Sequence, residues 1–254
     1  MDIAATDLVL AEWRGAIAWI TLNRPAVRNA LSVEMMTAIE RALAEAADAR
    51  AVVIAGNGPG FCGGHDLKEM RAHPAAGFQA QLFAQCSRMM QAIANHPAPV
   101  IASVHGIATA GGCQLVAACD LAVASEEAKF ATSGVNLGLF CSTPGVALAR
   151  AVPRKAALAM LLTGDFVTAS EALAMGLVNR VVPTAELGAA TMALAETIAA
   201  KERCAIEIGK RTFYRQIEAP LERAYAIASE AMVENMMAPA TTAAIDAFIT
   251  RPRR

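Results

Sequence analysis

The chain has no C-x-x-C pair, and its six cysteines (Cys62, Cys86, Cys113, Cys119, Cys141 and Cys204) suggest no paired framework. In an Ala-rich chain of 254 residues, that spacing excludes a disulfide scaffold. Charge is scarce: charged residues make up 18% against 56% hydrophobic, and 22 Lys+Arg nearly cancel 23 Asp+Glu. A nucleic-acid partner needs a concentrated positive face, so none is expected. The one basic run, 251–254, reads as a solvated tail. No G-K-[ST] occurs, which removes a Walker phosphate loop. The opening MDIAATDLVLAEW lacks a basic start and a continuous apolar stretch, so no signal peptide is expected and a cytoplasmic protein follows. Between Arg88 and Asp120 there is no Asp, Glu, Lys or Arg. Pro97, Pro99, His105, Gly111-Gly112 and Gln114 interrupt that stretch, which points to burial inside the protein and not to a membrane span.

What remains is a pattern of alternating elements. LVLAEWRGAIAWITLNRP reads as two strands around Arg14-Gly15. Ser32 is a candidate N-cap for a helix from Val33 to about Asp48, with Met35, Met36, Ile39 and Leu43 on one face. AVVIAG, PVIASVHG and DLAVAS read as buried strands, and Phe78–Asn95 and CQLVAAC as helices. From Lys129 to Pro144 the pattern is irregular. Beyond it, helical signals dominate: Arg154–Leu162, Ala169–Met175, Ala185–Ala200 and Leu221–Met237. A chain of this length buries about 70–75% of its unfolded surface, here in an α/β body followed by a helical C-terminal region.

Two glycine clusters carry the chemistry. Gly58, Gly60 and Gly63 form a G-x-G-x-x-G after a strand, but only a short helix follows before His73-Pro74. No strand ending in an acid lies about 20 residues on, so a dinucleotide site is disfavoured. A second turn, IATAGGCQ, is built the same way: buried strand, paired glycines, helix. Two such turns on neighbouring strands could aim one backbone N–H each at a single oxygen, forming an oxyanion hole; the alternative is tight turns needed only for packing.

The stretches LNRPAVRNALS (22–32), FCGGHDLKEM (61–70), PVIASVHGIATAGGCQLVAACDLAVAS (99–125), FATSGVNLGL (130–139) and LLTGDFVTASEALAMGLVNRVVP (161–183) resemble, in order and spacing, the crotonase superfamily of enoyl-CoA hydratases and isomerases. Residues 134–155 resemble its domain-containing-protein-three subgroup. The resemblance implies an α/β, crotonase-like spiral of four ββα units over residues 1–190, and a helical trimerisation region over 191–254 giving a homotrimer or dimer of trimers. It implies an acyl-CoA ligand and no cofactor beyond the coenzyme A of the substrate. The oxyanion donors would be the amides of His65 and Gly111. Gly63 would belong to the CoA-binding set, His65, Asp66, Leu67 and Lys68 would run along the pantetheine arm, and Arg24, Arg28 and Lys68 would lie near the phosphates.

Departures from the family pattern shape the functional reading. At the two positions where the family's hydratases carry glutamates, this chain has Gln114 and Gly134. Neither can exchange a proton near neutral pH, and losing a general acid or base costs about 10²–10⁴ in rate per group. Candidate substitutes are the His65 imidazole, Asn136 and Cys141. Asp66 reads as a helix cap. His105 reads as a satisfied core histidine, His73 and His96 as loop residues, and no cluster has the three or four ligands of a metal site. Three readings stay open: an enzyme with weak or atypical hydratase activity, a non-catalytic acyl-CoA-binding or regulatory protein, and a thioester hydrolase or other enolate-forming enzyme using His65.

Overall fold

The computed structural model describes residues 8–250; the basic tail and the start of the chain, with the expectations resting on them, lie outside the described residues. The chain opens with an antiparallel hairpin, β1 (Val9–Arg14) and β2 (Ile17–Leu22). From β2 one move repeats four times: a strand in a first sheet, a crossing into a second layer, then a helix. The first crossing is Leu31, bridged to His65, before α1 (Val33–Glu45). The Ser32 hydroxyl caps α1 by accepting from the Met35 amide at 3.2 Å, and the helix ends three residues before its expected limit. Next come β3 (Ala51–Gly56), the crossing 60–65, α2 (Leu67–Ala72) and α3 (Ala76–Asn95). The third turn is β4 (Val100–Val104), β5 (Ile107–Thr109) and α4 (Gly111–Ala118). The fourth is β6 (Leu121–Ser125), β7 (Lys129–Ala131), a 3-10 turn (Ser133–Leu137) and α5 (Ser142–Ala151).

The rest of the body is α6 (Arg154–Thr163), β8 (Val167–Thr168), α7 (Ala169–Ala174) and β9 (Arg180–Val182). The first sheet runs β1-β2-β3-β4-β6-β9, parallel after the hairpin; the second is β5-β7-β8. Strands β5, β7 and β8 escape a sequence reading because two or three residues carry no periodicity. Gly134 lies in the 3-10 turn that follows β7.

Both faces of the first sheet are covered, as its near-continuous apolar strands require. Ala18, Ile20, Val52, Ile54, Val100 and Ala102 pack with α1 and α3. Trp19, Val53, Ile101 and Val123 face the other way, against Leu187 and Ala195 of α8 (Leu187–Ala199). The expected boundary at 190/191 therefore falls inside a helix that belongs to the sheet.

Beyond it stand α9 (Arg203–Gln216), α10 (Leu221–Met236) and α11 (Pro239–Ile249). α9 is pinned by a buried charge: Lys210 Nζ meets Asp120 Oδ2 at 2.7 Å and donates to the carbonyls of Ile93 and Ala98. Tyr214 donates to Asp120 Oδ1 at 2.8 Å. Burial pulls the Lys210 pKa down, and Asp120 opposes it. His96, expected in a loop, is buried here, its ring bridging Leu43 and Ala98. α10 and α11 leave Leu221, Tyr225, Met232, Val233 and Phe248 in solvent. Lys210→Ala strands Asp120 in the interior and is expected to cost about 3–5 kcal/mol. Amide exchange across α9 should rise with it; unchanged protection there would show that the ion pair does not hold the helix.

Candidate functional site

The two glycine turns meet face to face. The Leu31 amide donates to Gly64 O at 2.8 Å, and the Asp66 amide to Leu31 O at 3.2 Å. The C=O and N–H of one trans peptide point in opposite directions. Because Gly64 O turns toward Leu31, the His65 N–H turns away from Leu31. A Cβ on Gly64, whose φ is +86°, would stand 3.0 Å from Gly111 N and 2.9 Å from Thr109 O. On Gly112 a Cβ would stand 2.1 Å from Cys62 O. Only glycine lets these backbones approach so closely.

Gly111 is the first residue of α4, where amides have no intrahelical acceptor and the helix dipole is positive. Ala110 before it holds φ +49°, ψ −115°, a strained conformation for an L-residue, and its own amide is spent on Ala131 O at 2.9 Å. His65 and Gly111 both line a cavity of about 290 Å³ whose walls also include Gly63, Leu67, Met70, Phe83, Gly134, Leu137, Leu139, Phe140 and Cys141. Two main-chain donors on one wall of an apolar cavity can polarise a carbonyl oxygen. A larger cleft of about 1040 Å³ lies between α3, α4, α5 and α9, but neither amide borders it.

Among the described residues, none that lines the cavity is Asp, Glu, Lys or Arg. Burial lowers the His65 pKa from 6.5 to about 4, so the ring is neutral at physiological pH. Its Nε2 is buried without a hydrogen-bond partner, and the ring meets Phe83 edge-on at 5.4 Å. Burial pushes the Cys141 thiol up, against the hydrogen bond from the Gly134 backbone, and keeps it protonated. The thiols of Cys62 and Cys113, close by, are pushed up to about 12 by burial.

The other sequence candidates divide clearly. Gly134 lines the cavity, and a Cβ there would stand 2.4 Å from Leu139 O and 2.8 Å from Cys141 Sγ. Its lack of a side chain is therefore enforced by the chain crossing over it. Gln114 is buried and borders the larger cleft, not this cavity, with the Cys86 thiol 3.8 Å from its Oε1. Asn136 is removed from the candidates: its amide donates to Gly164 O at 3.4 Å and the residue lies outside the cavity wall.

Asp66 caps α2 by accepting from the amides of Lys68 and Glu69, and pairs with Arg24 at 2.8 Å. Burial pushes its carboxyl up, but Arg24 and the two amides outweigh that and hold it below its usual value. Arg28 and Lys68 are exposed and make no ion pair among the described residues. His105, expected in the core, is only partly buried and meets Gly58 O at 2.8 Å. Among the described residues no group of three His, Cys, Asp or Glu side chains could hold a metal ion, and no helix is long and apolar enough to cross a membrane.

Sequence reasoning missed Asn29. It is fully buried and at φ +54°; its side-chain amide donates to the carbonyls of Asn57, Gly60 and Phe61, and its Oδ1 accepts from Arg24 N. One side chain thus ties the first glycine loop to the segment before α1. Asparagine's tolerance of positive φ was the available signal.

Gly64→Ala would drive a Cβ into the second turn and should weaken ligand binding as well as stability, whereas Gly15→Ala, at φ +64° in open space, should cost only the conformational strain of about 1–2 kcal/mol. Calorimetric titration beside urea unfolding separates the two; equal behaviour would deny the close approach any role. His65 yields a pH signature. Its folded pKa of about 4 lies below 6.5, so the unfolded chain takes up the proton first and stability falls as pH drops from about 6.5 to 4. Relative to His65→Gln, the loss should reach about 1.4 kcal/mol per pH unit. Parallel stability curves for the two proteins would place the ring in water.

The sequence pattern of the family described as enoyl-CoA hydratase/isomerase matches residues 12–251. The human mitochondrial enoyl-CoA hydratase domain-containing protein 3 is 49% identical over 235 residues, 91% of this chain and 78% of its own. Its crystal structure superposes with a TM-score of 0.93 at 47% identity, covering 97% of this chain and all 100% of that one. The structure of an enoyl-CoA hydratase from Mycobacterium smegmatis also reaches 0.93, at 53% identity over 97% and 98% of the two chains. The human, mouse and rat relatives are named as mitochondrial proteins, which overturns the expectation of a cytoplasmic location. With sequence pattern and fold in agreement, the chain belongs to the enoyl-CoA hydratase/isomerase family.

Proposed function

We propose that this protein binds acyl-CoA thioesters and polarises the thioester carbonyl between the amides of His65 and Gly111, without the proton-transfer groups of a standard hydratase. The observation that carries this reading is the close approach of the two glycine turns at one apolar cavity. Each such donor is worth roughly 10²–10³ in rate where charge develops on an oxygen. The coenzyme would enter along Gly63–Lys68, with Arg28 and Lys68 free to meet phosphates while Arg24 is engaged by Asp66. No cofactor besides the substrate's own coenzyme A is called for. The apolar side chains exposed on α10 and α11 support assembly as a trimer or a dimer of trimers.

Within this reading, binding and polarisation are favoured over proton transfer. A buried imidazole of pKa about 4 is a weak base at neutral pH, and the Cys141 thiol stays protonated. Thioester hydrolysis through His65 is therefore the less favoured chemistry. Two absent acid/base groups should lower crotonyl-CoA hydration by about 10⁴ or more relative to hydratases that have both. Spectrophotometric turnover, paired with calorimetric binding of a saturated acyl-CoA, tests this. Tight binding with negligible hydration is expected; turnover at hydratase rates that vanishes in His65→Gln would overturn it. Gln114→Glu with Gly134→Glu is expected to destabilise the protein and not to restore hydration, because Leu139 O occupies the space of the new Cβ.

A further inference from the structure

His65 lines the 290 Å³ cavity, and neither nitrogen of its ring has a hydrogen-bond partner among the described residues. Burial keeps the ring neutral. A neutral imidazole carries one proton, on one nitrogen or the other. Nε2 is sealed from water with no acceptor in reach. A buried N–H without an acceptor bears its full desolvation penalty, and such donors are rarer in folded proteins than buried acceptors left bare. The proton therefore belongs on Nδ1. That nitrogen stands beside the second glycine turn: a Cβ on Gly111 would lie 3.3 Å from it. The ring thus hangs from one of the two residues whose amides serve the carbonyl, and reaches the other. The remaining polar side chains of the wall, Ser133, Ser142 and Thr143, come from the segment after β7. Among the described residues, His65 is the one polar side chain that the two glycine turns bring to the cavity.

We infer that the His65 imidazole is a third donor to the thioester carbonyl, giving its Nδ1–H beside the main-chain amides of His65 and Gly111. The inference rests on the acyl-CoA reading above and adds a side chain that touches the substrate. A neutral imidazole can polarise a carbonyl without giving up its proton. The ring then acts as a donor and not as a base, which suits a group that stays unprotonated at neutral pH. In ground-state binding one such hydrogen bond is worth about two- to tenfold in affinity.

Calorimetry with butanoyl-CoA and with S-butyl-CoA, a thioether that lacks the carbonyl, tests this on the wild-type protein, His65→Leu, His65→Asn and His65→Gln. The amide nitrogen of Asn stands as many bonds from Cβ as Nδ1 does, and that of Gln as many as Nε2. His65→Leu should cut the preference for thioester over thioether about two- to tenfold. Asn should restore it and Gln should not. The carbonyl stretch of bound butanoyl-CoA, followed by difference infrared spectroscopy, should rise in His65→Leu and fall back in His65→Asn. A ring that only shapes the cavity would shift both affinities together and leave the stretch in place, which would overturn the inference while sparing the two amides. Rescue by Gln in place of Asn would move the donor to Nε2 and overturn it as well. Nitrogen NMR of the wild-type butanoyl-CoA complex needs no variant to fold: the proton is expected on Nδ1, and a proton on Nε2 contradicts the assignment. Equal wild-type affinity for thioester and thioether would instead remove the polarisation reading itself, and this inference with it.

Discussion

At residues 62–64 and 109–112, main chain meets main chain, and the site depends on that contact. A β-carbon at Gly112 would stand 2.1 Å from Cys62 O, and one at Gly64 would press on Thr109, Ala110 and Gly111 together. The approach brings His65 and Gly111, the first residue of α4, to the wall of one cavity. It is held from outside by devices unrelated to chemistry: the Leu31–His65 bridge, the triple donation from Asn29, and the strained turn at Ala110. Strain at Ala110 is sustained because β5, β7 and α4 fix the chain on both sides of it.

Desolvation governs the electrostatics around this contact. The same burial that would strengthen a polarising hydrogen bond removes charge from the side chains beside it, leaving His65 neutral and Cys141 protonated. At Gly134 there is no open space for a side chain: the Leu139 carbonyl and the Cys141 sulfur fill it.

Charge is used instead where it organises the chain. The Lys210–Asp120–Tyr214 cluster fastens α9 to the body, and Arg24–Asp66 fixes the start of α2 beside the site. Both join side chains from distant segments, and in the buried Lys210–Asp120 pair the loss of either partner would leave the other charge uncompensated. α10 and α11, held through α9, carry their exposed apolar faces outward.

Much of this was legible in the chain. The Ser32 cap, the apolar strands, the paired glycines and the Asp66 cap follow from local chemistry, because caps, periods and tight turns are set within a few residues. His96 and His105 were legible only as types: which is buried depended on Leu43 and Gly58, which lie 53 and 47 residues away along the chain. Likewise the sequence determined that Gly134 bears no carboxylate, but only the tertiary structure decided that it can bear no side chain, and that Gln114 borders a different cleft from Gly111. Such outcomes depend on what crosses overhead, and crossing is a property of non-local packing that no window of sequence contains.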